Sequence, residues 1–276
     1  METKYEERGY LTEPFRLFHL KDRPTAEIGW HYHTFHKIIV FLSGHGSYAI
    51  EGEKYSLRPG DLIFVGRGCV HRPEITDRED YERYILYISP EFLKNLGGET
   101  NLETCFDLSR EQFAFVARPQ GKYGELLRLL TDLETIPRED GFGRDLLAQA
   151  VFLRFLITVT RALEESRLQY VQARAYDPKI VAMLQYLTEH LTESTSVEAL
   201  AKQFAMSKYH MMRRFKECTG STIHSYVTSK RLLLAREMLL GGQNAQTACY
   251  DCGFQDYSAF SRAYKKLFGT SPKGKG

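Results

Sequence analysis

Apolar positions recur at a helical period through the last hundred residues and fall in short alternating runs between residues 28 and 90, so the pattern divides the chain into a helical part and a strand-rich part. In the helical part, Asp177-Pro178 is a start signal, because proline loses no hydrogen bond at the first helical position and the aspartate can cap. Ile180, Met183, Leu184, Leu187 and Leu191 then share one face. A second helix starts at Ser196, turns Leu200, Ala201 and Phe204 inward and breaks near Ala205-Met206; Ser207 caps a third. Thr222 to Leu240 reads as one helix closed by Gly241-Gly242, about 28 Å long at 1.5 Å per residue. Asn244 caps the next, which runs through Ala248 to Cys252, turns at Gly253-Phe254 and leads into a last helix near Tyr257.

Within this series Arg213-Arg214-Phe215-Lys216-Glu217-Cys218-Thr219-Gly220 returns 49 residues later as Arg262-Ala263-Tyr264-Lys265-Lys266-Leu267-Phe268-Gly269. Met211, Phe215 and Cys218 form an apolar face, and Phe260, Tyr264 and Leu267 repeat it. The opposite faces carry Tyr209, Met212, Arg213 and Lys216 in one copy and Ser258, Ser261, Arg262 and Lys265 in the other. Each copy ends on a glycine, as expected where the chain leaves a helix through a left-handed residue. A helix, a tight turn and a second, basic helix make a helix-turn-helix, whose second member lies in the major groove. Two such units are expected, at about residues 196–219 and 244–268, joined by a linker helix over 222–240.

The strand-rich part shows runs at Lys37 to Leu42, Ser47 to Glu51, Lys54 to Leu57, Asp61 to Val65 and Tyr81 to Ile88, punctuated by glycine and proline, which indicates a small barrel or jelly roll. Two amphipathic helices follow. Leu126, Leu127, Leu130 and Leu133 mark the first, between Tyr123 and Thr135; Leu147, Ala150, Val151, Arg154, Phe155 and Thr158 stripe the second, between Arg144 and Leu163. The expected fold is therefore α+β with two domains: a barrel with an N-terminal arm over residues 1–120, a helical region over 121–165, a polar linker over 166–176 and an all-helical domain over 177–276.

Charge sharpens this division. The net charge of +2 conceals an asymmetry: residues 177–276 hold 14 basic and 8 acidic side chains, and the remainder hold 23 and 27. A polyanion partner is expected for the helical domain alone. Five cysteines without paired metal spacing argue against a disulfide framework and for the cytoplasm. Cys249 and Cys252 lie inside a helical pattern with no second ligand pair. No membrane span is expected, since Arg154 interrupts the most apolar helix.

Leu200-Ala201, Ser207, Arg213-x-Phe215-Lys216, Gly220, Tyr226, Arg231, Ala235, Leu239-Leu240, Gly253-Phe254, Ser258, Phe260-Ser261-Arg262, Lys265-Lys266, Gly269 and Ser271-Pro272 resemble the AraC/XylS family of bacterial transcription regulators over about 95 residues. The resemblance implies that both reading helices enter adjacent segments of the major groove of promoter DNA. Carried over by position, the first offers Tyr209, Met212 and Arg213 to bases, and the second offers Tyr257, Ser258, Ala259, Ser261 and Arg262. The chemistry agrees: arginine can donate twice to guanine, serine can donate or accept, and methionine or alanine can pack on a thymine methyl. Lys208, Lys216 and Lys265 suit phosphates or solvent. Ala245, Ala248 and Cys249 stand where the family has larger or different residues, so a looser second unit is expected. The family also implies a homodimer, RNA polymerase as a partner, and activation of transcription.

His31-x-His33 and Pro59-Gly60-Asp61 with His71 ten residues on resemble the two motifs of cupins. In metal-binding cupins a glutamate completes the set, but Lys37 or Ile38 occupies its position here, and an ammonium offers no lone pair. No cofactor is therefore expected. Three readings of His31, His33 and His71 stay open: a metal site, structural histidines at the surface or barrel mouth, or contacts to a small effector. In the last, Trp30 stacks on a sugar-like ring and Lys37 binds a carboxylate. The favoured function is a ligand-responsive, sequence-specific DNA-binding regulator without enzyme activity. The rival is a cupin-type metal enzyme with an accessory DNA-binding module.

Overall fold

A computed structural model describes residues 6–7, 11–23, 28–75, 80–136 and 140–272. The strands are β1 (Glu6–Glu7), β2 (Phe15–Asp22), β3 (His31–Tyr32), β4 (His36–Ser43), β5 (Gly46–Ile50), β6 (Glu53–Ser56), β7 (Leu62–Val65), β8 (His71–Ile75), β9 (Tyr81–Ile88), β10 (Val116–Pro119), β11 (Leu168–Tyr170) and β12 (Arg174–Ala175). The helices are α1 (Pro90–Gly97), α2 (Thr104–Glu111), α3 (Gly124–Thr135), α4 (Arg144–Glu164), α5 (Pro178–Glu189), α6 (Val197–Gln203), α7 (Lys208–Thr219), α8 (Ile223–Leu240), α9 (Ala245–Asp251) and α10 (Tyr257–Phe268). Chain contacts separate one unit over Glu7–Arg174 from another that contains Ala175–Gly276. The arm expected before Ile28 and the chain end after Pro272 fall partly or wholly outside the described residues.

The first unit is built from two facing sheets. One places β3, β8, β5 and β6 side by side, and the other has the order β11-β10-β7-β4-β9-β2. In β4, the two-residue period sends Ile39 and Phe41 into the space between the sheets, with Tyr48, Ile50, Tyr55 and Val65. Ile38 and Val40 go to the outer face and join a second core under the helices. A strand buried on both faces reads as a continuous apolar run, which is how β4 appears in the sequence.

The Pro59-Gly60-Asp61 turn fixes the edge of this sandwich. Asp61 is fully buried, and Arg118 of β10 donates from Nε to Oδ1 at 2.7 Å and from Nη2 to Oδ2 at 2.8 Å. The backbone N–H of Arg58 also donates to Oδ2 at 2.8 Å. Removing one partner of such a buried pair typically costs about 3–5 kcal/mol. Gly60 has φ +94°, and a Cβ there would lie 2.8 Å from the Tyr123 ring.

Both helices after the barrel pack on the outer face of the second sheet, so residues 121–165 belong to the barrel's own core and are not a separate layer. On α3, Leu126, Leu129, Leu130 and Leu133 are buried. On α4 the buried face is Ala148, Phe152, Phe155, Leu156, Val159, Ala162 and Leu163, with Phe152 stacked on Phe15 at 4.4 Å. This corrects the predicted stripe: Ala150 and Arg154 are exposed and Leu147 is 51% exposed. An apolar helix admits more than one stripe by period alone, and contact with the sheet selects among them. α4 is also long and apolar enough to cross a membrane by length and composition, contrary to the sequence expectation, and its buried residues serve the core. The stretch 166–176 is not wholly a linker, since β11 pairs antiparallel with β10, Ala117 opposite Tyr170.

The second unit contains α5 to α10. Asp177, Ser196, Ser207, Thr222, Asn244 and Asp256 cap these helices with side-chain oxygens that accept backbone N–H groups. Central α8 buries Tyr226 edge-on to Phe215 of α7, ring centroids 5.6 Å apart, and buries Leu232 and Ala235 against α9 and α10. Ala248, Cys249 and Cys252 are fully buried, and Phe254, Phe260, Tyr264 and Phe268 pack in a chain of ring contacts around them. The expectation of a looser second unit overlooked these rings, which fill the volume that small residues leave.

Candidate nucleic-acid interface and sensor site

The polar face of α7 is set by its cap. Ser207 accepts from the N–H of His210, and Met211, Phe215 and Cys218 turn inward, so Lys208, Tyr209, Met212, Arg213 and Lys216 are exposed. Tyr209 is 79% exposed and Met212 45%, a poor use of large apolar side chains unless a partner covers them. Arg213 lies 3.8 Å from Glu217, and Lys208 pairs with Glu198. On α10, Asp256 accepts from the N–H groups of Ser258 and Ala259. Ser258, Ala259, Arg262 and Lys265 are exposed, Ser261 is half-buried, and Tyr257 packs against the core beside Phe260. Two basic helices with open first turns and no covering side chains thus present arginine at the same helical position.

Arg231, quoted in the resemblance but given no role there, joins the two halves. From α8 it donates to the carbonyls of Leu191 at 2.7 Å, Glu193 at 2.7 Å and Gly253 at 2.8 Å. The loop after α5 and the turn of the second helix-turn-helix are thereby held to one guanidinium. Sequence spacing could not show this, because the three acceptors are backbone atoms.

Inside the barrel, His31, His33 and His71 meet. All three are buried, at 5%, 3% and 0% exposure, which corrects the reading that placed them at the surface or barrel mouth. Their ring centroids are 4.3 to 5.1 Å apart, and His31 and His71 are directly opposite in the β3–β8 pairing. Burial, the like charge of Lys37 and the other two imidazoles hold His71 well below the usual imidazole range. Lys37 is buried on the inner face of β4 with Nζ 5.9 Å from the centre of the Tyr87 ring. Burial, aided by Arg83, lowers its pKa to about 7. Trp30 does not join this group. Alternation puts it on the other side of the strand from His31 and His33, where the Arg72 guanidinium lies 4.6 Å from its ring centre. Tyr48, Phe35 and Tyr87 complete the interior and were not foreseen; strand pairing, such as Lys37 opposite Tyr87, brings them in.

The profile of an AraC-like ligand binding domain matches residues 17–156, and that of a helix-turn-helix domain matches residues 200–274. The chain belongs to the AraC family. It is 29% identical over 256 residues to the HTH-type transcriptional activator RhaS of Salmonella arizonae, covering 91% of this chain and 88% of RhaS. RhaS of Salmonella typhimurium is 28% identical over the same shares. Among solved structures, the DNA-binding domain of AdpA in complex with a target DNA is 30% identical, covering 35% of this chain and 86% of that chain, with a TM-score of 0.33. Apo ToxT from Vibrio cholerae covers 97% of both chains at 12% identity and a TM-score of 0.42. As an AraC-family protein, the chain is a ligand-responsive transcription regulator: its barrel is the ligand-binding domain and its helical unit the DNA-binding domain.

One buried histidine of this AraC-family sensor faces away from the ligand side. His36 points to the helices, stacks on Phe106 at 4.2 Å and has Nε2 3.4 Å from Glu103. The N–H of Arg67 donates to its Nδ1 at 3.3 Å, which places the proton on Nε2, toward the carboxylate. Burial lowers the imidazole despite Glu103, so His36 is a structural residue between sheet and helices.

Proposed function

We propose that this protein activates transcription by binding promoter DNA as a homodimer in response to a small sugar-like or carboxylate effector held in the barrel. In this reading Tyr209, Met212 and Arg213 of α7 and Ser258, Ala259, Ser261 and Arg262 of α10 read bases, with Tyr257 buttressing the start of α10. Lys208, Lys216 and Lys265 meet phosphates. His31, His33, His71 and Lys37 contact the effector, and Trp30 is left out because Arg72 covers its ring. The observation that carries the reading is that α7 and α10, both of 12 residues, each with a side-chain N-cap and a left-handed glycine at the C-terminus, expose Arg213 and Arg262 at matched positions. Activation draws on the printed role of RhaS, to which the chain is similar over most of its length.

The dimer is supported by α4. Leu146 is 71% exposed and Ile157 39%, and with Ala150 and Leu153 between them they follow the four-three-four spacing of a helix-pairing seam. RNA polymerase is the partner of an activator at a promoter, the chain acts in the cytoplasm, and no catalysis is required of it. Effector and DNA are linked only to the extent that the effector binds the DNA-competent arrangement more tightly.

Genomic selection of bound fragments by the purified chain, followed by footprinting with and without effector, tests the reading. Two adjacent major-groove contacts per protomer are expected. Protection that is indifferent to sequence would defeat it.

A further inference from the structure

The barrel interior carries a donor set that DNA recognition does not use. One ligating nitrogen from each of His31, His33 and His71 lies within 4.8 Å of the other two. The tautomers of two are set from behind. Nδ1 of His31 is 2.8 Å from the Gly29 carbonyl oxygen, and Nδ1 of His71 is 2.9 Å from that of Cys69. A carbonyl only accepts, so each Nδ1 carries the proton and each Nε2 is left with a lone pair. Nε2 of His71 is buried without a hydrogen-bond partner, a state that a bound group would relieve. Imidazole held through Nδ1–H by a carbonyl and bonding through Nε2 is the usual arrangement of a metal-bound histidine. Three neutral imidazoles suit zinc, copper, iron or nickel and not magnesium or calcium.

Charge selects the remaining ligand. Among the described residues, no carboxylate or thiolate joins the three histidines. Lys37 is nearby: the Tyr87 ring that its Nζ approaches at 5.9 Å is itself 5.8 Å from the His33 ring. A divalent ion on three neutral ligands beside an ammonium leaves buried positive charge uncompensated, which is unfavourable until an anion enters. The same lysine that opposes a bare cation attracts a carboxylate.

We propose that the barrel binds one divalent transition-metal ion on Nε2 of His31, His33 and His71, and that a carboxylate of the effector fills the open position while Lys37 binds its other oxygen. This rests on the barrel being the effector sensor and narrows the effector to small carboxylates. The nitrogens close from at most 4.8 Å to about 3.3 Å, the ligand spacing of a tetrahedral ion with bonds of 2.0–2.1 Å, by small ring rotations.

The test strips the full chain with a chelator and titrates it with Co2+ alone, followed by absorption and by metal analysis after dialysis. One ion per chain is expected, with the visible bands of four-coordinate cobalt and without the near-ultraviolet band that the thiolates of Cys249 or Cys252 would add. His33→Gln and His71→Gln, checked for folding by circular dichroism and melting, should each weaken binding at least a hundredfold. Lactate, glycerate or gluconate should move the visible bands, and glucose and arabinose should not. Lys37→Met should weaken the carboxylate response at least tenfold and leave cobalt bound. Substoichiometric cobalt on the wild-type chain, or unchanged affinity in both histidine variants, overturns the metal site. Bands that no carboxylate moves, or that sugars move equally, overturn the proposed fourth ligand. Should the variants unfold, X-ray absorption of the wild-type cobalt form decides: three imidazoles uphold the site, and thiolate or fewer than two imidazoles overturn it. DNA binding is scored separately, so that a protein whose footprint ignores every ligand loses the sensor reading while the cobalt result stands.

Discussion

The two helix-turn-helix units are close copies in backbone and unlike in what fills them. α7 and α10 each have 12 residues and begin 49 apart; α6 and α9 each have seven and begin 48 apart. The difference of one is taken up in the turn, four residues in the first unit and five in the second. Each first helix ends in the same hydrogen-bonded motif: Met206 N–H to Ala201 and Ala205 N–H to Lys202 in one, Phe254 N–H to Cys249 and Gly253 N–H to Tyr250 in the other. The left-handed residue of that motif is Ala205, φ +48°, in the first copy and Gly253, φ +92°, in the second. The first unit is braced by Arg214 on the capping Asp177 at 3.1 Å, whereas Ala263 occupies the matching place in the second. Caps and turn geometry are thus the repeated elements, and each unit fills its core and anchors itself in its own way.

Gly253→Ala should break the second unit hardest. A Cβ there would lie 2.6 Å from the Thr192 carbonyl oxygen and 2.9 Å from Cζ of Arg231, on a backbone that already favours glycine. A loss of about 3 kcal/mol in the helical domain is expected, because strain and the displaced Arg231 combine. Urea unfolding checks this, and an unchanged midpoint would show that the turn relaxes freely. Arg231→Met comes next. It keeps the stem and removes donors to three carbonyls, for an expected loss of about 2 kcal/mol. Amide exchange should accelerate in α9 and α10 more than in α6 and α7. Equal acceleration in both would mean that Arg231 stabilises α8 alone.

The same contrast explains what could be read from the chain. Helix starts were legible because Asp177, Ser196, Ser207, Thr222 and Asn244 carry their own capping chemistry, and all five cap in the structure. The runs in β4 to β7 and β9 were legible from composition. β2, β8, β10 and β11 were not, since their strand character depends on partners far away in sequence, as in the pairing of Phe15 with Ile88. The buried face of α4 was misread for a related reason: Phe152 and Leu156 are inside because the sheet is there. At the sensor, the His-x-His spacing pointed to a cluster, but only the β3–β8 register brings His71 to His31. Trp30 was grouped with them by proximity in sequence and is separated by the alternation of the strand.

A smaller effect separates the two reading helices on DNA. Arg213 must leave Glu217, 3.8 Å away, to reach a base, while no ion pair is found for Arg262 among the described residues. Arg262→Ala and Arg213→Ala should each cost about 1–3 kcal/mol on the selected operator, with Arg262→Ala the larger. Binding isotherms on operators with single base changes check this. Each variant should become indifferent to one base pair, and a uniform loss over all sequences would reassign that arginine to phosphate.

The smallest expected effect is a gain. Ala205 holds a left-handed conformation at φ +48° that disfavours any Cβ, and Lys179 donates to its carbonyl at 3.1 Å, fixing the turn in that state. Ala205→Gly makes the first turn like the second. Glycine removes the left-handed penalty of about 1–2 kcal/mol, and the greater freedom of the unfolded chain returns part of it. A net stabilisation of about 1 kcal/mol is expected, measured as a higher urea midpoint with unchanged slope. A lower midpoint would show that the Ala205 methyl group packs usefully, and that the two turns differ in their contacts as well as in their length.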